Sequence, residues 1–70
     1  MKLSARNQIK GTILKIKEGA VNGIVTLDIG CGNEITATIS MTSIQDLGLE
    51  VGKEAYAVIK ATSVMVAVDD

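Results

Sequence analysis

From Ile9 to Ile16 the apolar positions are Ile9, Ile13, Leu14 and Ile16, with Gly11 in phase with the first two. The inward phase switches between Ile13 and Leu14, which predicts a strand bent by a bulge, a device that turns a barrel corner. Glu18 to Gly23 reads as a loop, with Asn22-Gly23 the strongest local turn signal in the chain. Val25, Leu27 and Ile29 then alternate with Ile24, Thr26 and Asp28, a second strand. Gly30-Cys31-Gly32-Asn33 closes a hairpin onto a third strand, with Ile35, Ala37 and Ile39 inward and Glu34, Thr36 and Thr38 outward.

The period changes at Ser40. Ser40 or Thr42 can cap a short helix, Thr42 with Gln45 fits a capping box, Ile44 and Leu47 share a face, and Gly48 is placed to end it. Leu49, Val51 and Gly52 lead into a fourth strand, Glu54 to Ile59, and Val64 to Val68 gives a fifth. These last two are apolar on both faces, and an outward apolar face on a small barrel reads as subunit interface. The order strand, strand, strand, helix, strand, strand predicts an all-β OB-fold: a five-stranded Greek-key barrel with one short helix between strands 3 and 4.

Seventy residues form one small domain, near the size at which a single core barely offsets chain entropy. With one cysteine and no histidine, neither a disulfide nor a Cys/His metal site can staple it, so self-association is the remaining route. The 47% apolar content points the same way. Met1 to Asn7 contains no signal-peptide core and no segment reaches membrane-spanning length, so the expectation is a cytoplasmic protein with no membrane partner. A net charge of −1 and a single aromatic residue, Tyr56, argue against nucleic-acid binding, which calls for a basic groove and stacking platforms. Without histidine, a nucleophile–base pair or a glycine-rich phosphate loop, catalysis has no support, and no cofactor is called for.

Two stretches are rich in donors. Ser4-Ala5-Arg6-Asn7-Gln8 precedes the first strand, and Lys60-Ala61-Thr62-Ser63 separates the last two apolar runs. No acid lies between Leu3 and Lys17 or between Ala55 and Ala67. A tetrahedral dianion offers acceptors only, so a site for it should consist of donors, with cationic ones contributing most. The alternative reading of the same residues is a solvated arm and a hairpin loop.

The segments Ser4 to Gly11, Lys17 to Asn22 and Val58 to Met65 give the chain, from Ser4 to Val68, a strong resemblance to the molbindins, small cytoplasmic proteins that bind molybdate and tungstate. Their domain, called Mop, also serves as the effector-sensing part of molybdate-responsive regulators and transporter ATPases. The resemblance implies one Mop unit over residues 1–70, a homo-oligomer built as a hexamer from a trimer of dimers, and molybdate or tungstate held between subunits for storage or homeostasis. It implies a first oxyanion site of Ser4, Ala5 through its backbone, Arg6, Ser40, Ser43 and Lys60. At Ser40 the family can carry threonine. A second inter-subunit site maps onto Gly19, Ala20, Val21 and Asn22 with Ala61, Thr62 and Ser63. Two other readings stay open: an oxyanion-sensing module whose partner is another protein, and a nucleic-acid-binding OB domain.

Overall fold

A computed structural model describes residues 1–70. It contains β1 (Asn7–Lys17), β2 (Asn22–Gly30), β3 (Asn33–Ser40), α1 (Met41–Asp46) and β4 (Glu54–Ile59), followed by a 3-10 turn over Ala61–Ser63. All strand pairs are antiparallel, in the order β3-β2-β1-β4. The central β1 serves both neighbours, and its bend curls the sheet. Ile13 pairs with Leu27 and Lys15 with Thr26, leaving Leu14 as the extra residue of a bulge, after which the inward phase resumes at Ile16. The expected corner is therefore where the alternation breaks. Gly11 allows the two strands to close there, because a Cβ at this position would lie 2.6 Å from the Asp28 carbonyl oxygen.

The β2–β3 hairpin turns on two residues, Cys31 and Gly32, both at positive φ (54° and 78°), the backbone that a two-residue turn with matching twist requires. Ile35, Ala37 and Ile39 are half-buried, whereas Glu34, Thr36 and Thr38 are exposed. The loop before β2 differs from expectation. It spans residues 18–21, and Asn22 and Gly23 are already paired in β2 with Ser40 and Ile39. Gly23 is there for space: an added Cβ would meet Ile44 Cδ1 at 2.6 Å and Met41 Sδ at 2.9 Å.

Those two side chains belong to α1, which Ser40 caps by accepting from the Ser43 N–H at 3.0 Å. Thr42 lies inside the helix and is exposed, so the Thr42–Gln45 box does not form. Gly48, at φ 63°, ends the helix. Ile44 is buried with Ile13, Val25 and Leu27, and Ile16, Ile29, Ile39, Met41, Leu49 and Ala55 pack around them. Leu47, expected on the same face, is 69% exposed. Seven residues of 70 are buried, too small a core to account for so apolar a chain.

No fifth strand forms. Residues 64–68 pair with nothing, and Met65, Val66 and Val68 are 93%, 90% and 86% exposed. A strand needs an edge, and the turn at Ala61–Ser63 carries this segment away from β4. As a result the edges of β3 and β4 flank an open apolar groove of about 640 Å³, lined by Val25, Leu27, Ile35, Ala37, Ala55, Ala57 and Ile59 among others. The architecture is the expected OB-like curled sheet with a short helix, with four strands formed within the chain. No helix is long and apolar enough to cross a membrane.

Candidate functional site

At one end of the sheet, Asn7 opposes Ile59 in the β1–β4 ladder, so Arg6 and Lys60 are the residues immediately beyond the ends of these two adjacent strands. The register thereby brings together two segments more than fifty positions apart in the chain. Ser4, Arg6, Lys60, Thr62 and Ser63 are exposed, and Ala5 is half-buried. The turn is held by the Ser63 N–H donating to the Lys60 carbonyl at 2.9 Å. The ion pairs of the molecule are Lys10–Glu54 and Lys53–Glu50, so neither Arg6 nor Lys60 is neutralised by a carboxylate. Asn7 and Gln8, which belong to the donor-rich stretch, each use an amide N–H internally: Asn7 Nδ2 donates to the Ile59 carbonyl at 3.3 Å and Gln8 Nε2 to the Ala5 carbonyl at 2.9 Å.

The other expected residues lie at the opposite end of β1. The exposed loop of Gly19, Ala20 and Val21 precedes Asn22, which pairs with Ser40 at the end of β3. The Met41 N–H donates to the Val21 carbonyl at 2.8 Å, tying this loop to the start of α1. Ser40 Oγ donates to Ser43 Oγ at 2.9 Å while accepting the Ser43 N–H. Ser40 is thus occupied as a cap, and the Ser43 hydroxyl proton remains free to donate outward.

The eleven residues of β1 separate these two poles by about 33 Å of strand at a rise of ~3.3 Å per residue. Each residue set mapped above is divided between them. Ser4, Ala5, Arg6 and Lys60 sit at one pole, with Ser40 and Ser43 at the other; Ala61, Thr62 and Ser63 sit at the first, with Gly19, Ala20, Val21 and Asn22 at the second. One chain does not bring either set together. The first pole presents cations, hydroxyls and backbone N–H groups and the second hydroxyls and backbone N–H groups, a chemistry suited to an anion rather than a cation, and no cluster of three or more His, Cys, Asp or Glu residues exists. The one thiol, Cys31, is exposed on the hairpin tip, outside both poles.

The family model for the TOBE domain matches residues 3–66. A protein of Haemophilus influenzae described as a probable molybdenum-pterin-binding protein is 59% identical over 69 residues, covering 99% of this chain and 100% of its own. MopII from Clostridium pasteurianum superposes with a TM-score of 0.90 at 45% identity, covering 96% of this chain and all of its own. The cytoplasmic molybdate-binding protein ModG, in a crystal form with molybdate bound, gives a TM-score of 0.83 at 48% identity, over 87% of this chain and 43% of its own.

Proposed function

Because the chain belongs to the TOBE domain family, among its small Mop proteins, we propose that it binds molybdate or tungstate between copies of itself and stores or buffers the oxyanion in the cytoplasm. The observation that carries this reading is the division of a donor-only residue set between the two ends of one sheet. Arg6 and Lys60, unpaired and side by side, supply the charge; the Ala5–Arg6 backbone and Ser4 supply neutral donors; a second copy supplies Ser43, held in place by Ser40. The second set joins Ala61, Thr62 and Ser63 of one copy to the loop Gly19-Ala20-Val21-Asn22 of another.

Self-association has its own support. The groove between β3 and β4 has two free strand edges and apolar walls, and the same chain carries a loose, exposed, apolar segment at Val64–Val68. Exchange of that segment between two copies fills both grooves and completes a five-stranded barrel in each. Tyr56 and Val58, 50% and 45% exposed on the outer side of β4, offer a further apolar surface on which dimers assemble to a hexamer. Residues 1–70 act in this reading as one Mop unit, and the role is binding rather than catalysis. ModG, of which this chain resembles under half, is a cytoplasmic molybdate binder, which supports the same ligand and compartment here.

The test is a native mass spectrum with and without molybdate, with sulfate in excess. A closed oligomer that gains a fixed number of molybdates supports the reading. A monomer, or an oligomer that gains none, refutes it.

A further inference from the structure

Asn7 and Gln8 do the same thing at two places. The carbonyls they bond belong to Ile59 and Ala5, and each of those residues immediately precedes a cation, Lys60 and Arg6. In a trans peptide the C=O and the following N–H point in opposite directions. Turning the Ala5 carbonyl to the Gln8 amide therefore turns the Arg6 N–H the other way; at Ile59 the β1–β4 ladder already turns the carbonyl toward β1 and the Lys60 N–H away, and the Asn7 amide reinforces that orientation. Each amide also occupies an acceptor that would otherwise repel an anion.

We propose that Asn7 and Gln8 are positioning residues for the oxyanion, aiming the Arg6 and Lys60 backbone N–H groups as donors and masking the two carbonyls beside them. The proposal rests on the oxyanion-binding reading. A purely architectural role explains the two bonds less well. Asn7 and Ile59 are already ladder partners, so β1 and β4 stay paired without the side-chain amide. Gln8 and Ala5 are close in sequence, their bond is exposed, and neither belongs to the hydrophobic core. The arm from Met1 to Arg6 carries no regular structure, and the Gln8 bond is the side-chain tie that gives it a shape before the ligand arrives.

The experiment is calorimetric titration of the full chain with molybdate and with perrhenate, a tetrahedral oxyanion carrying one charge instead of two. The variants are Asn7→Leu and Gln8→Met, which keep approximate size and lose the donor, and Gln8→Glu, which adds a charge. Loss of one net hydrogen bond weakens molybdate by about fivefold in each of the first two. Perrhenate loses less, because carbonyl repulsion scales with ligand charge, and Gln8→Glu is weaker than Gln8→Met. Thermal midpoints of the ligand-free variants stay near wild type; if Asn7→Leu unfolds, the exposed Gln8 variants carry the test. Variants that match a molybdate-binding wild type overturn the proposal, as does an equal loss for both anions. A wild type that takes up no molybdate overturns the binding reading and the amide roles together.

Discussion

Val66→Ala separates an idle tail from an exchanged strand. Within one chain Val66 is 90% exposed and makes no ladder, so its truncation should change stability by no more than about 0.5 kcal/mol, as for an ordinary surface position. In an exchanged dimer it enters the groove bounded by Ile35, Ala37, Ala55, Ala57 and Ile59 of the other copy. Removing two methyl-sized groups from such a setting costs about 2 kcal/mol once transfer and residual cavity are both counted. A two-fold dimer contains the contact twice, so the loss is about 4 kcal/mol and the dimer dissociation constant rises on the order of 10³-fold. Sedimentation equilibrium across a dilution series reads this directly. A dissociation constant unchanged from wild type would refute the exchange, as would a wild type that is monomeric at every concentration.

Arg6→Ala removes an unpaired cation from an exposed arm, so the ligand-free fold should persist while molybdate affinity falls by about ten- to a hundredfold, measured by calorimetry. Ser40→Ala deletes the cap of α1 and the partner of Ser43 Oγ; a loss of about 1 kcal/mol should lower the thermal midpoint by roughly 4–8 °C, seen by calorimetric melting. Gly11→Ala drives a Cβ to within 2.6 Å of a backbone oxygen that cannot rotate aside, and should destabilise the chain by about 1–3 kcal/mol in urea unfolding.

The features legible in the sequence are those fixed by neighbours in the chain. Ile13 beside Leu14 cannot both point inward without a bulge, and the structure puts one there. Gly30-Cys31-Gly32 must reverse the chain, and of the two caps the sequence offers, Ser40 and Thr42, the structure takes Ser40. Asn22-Gly23 misleads because glycine serves two purposes with one local signature. Here it makes room for Ile44, twenty-one positions away, and no local rule carries that information. The fifth strand fails for a related reason: alternation specifies a strand at Val64–Val68 but not whose edge it takes. For the site, residue types indicate a donor-rich surface, while the alignment of Arg6 with Lys60 comes from a ladder register and the inward turn of the Asn7 and Gln8 amides from the shape of the arm.

The two poles also constrain how assembly and ligand depend on each other. A donor set split over about 33 Å of strand cannot close on an anion within one chain at any ligand concentration. Two copies related by a two-fold axis each bring one pole of each kind, so every pole finds its complement and no half-site is left over. In the proposed exchange Val64–Val68 is continuous with Lys60–Ser63, so the movement that fills the partner's groove would also fix the cationic pole in place. Oxyanion bound there favours the assembled state by the linkage relation, about 2.7 kcal/mol for each site at a hundredfold excess over its dissociation constant. That is comparable to what the Val66 contact contributes on one strand. In the proposed assembly apolar exchange and anion binding are therefore matched in size, and a chain with so small a core of its own would draw stability from both.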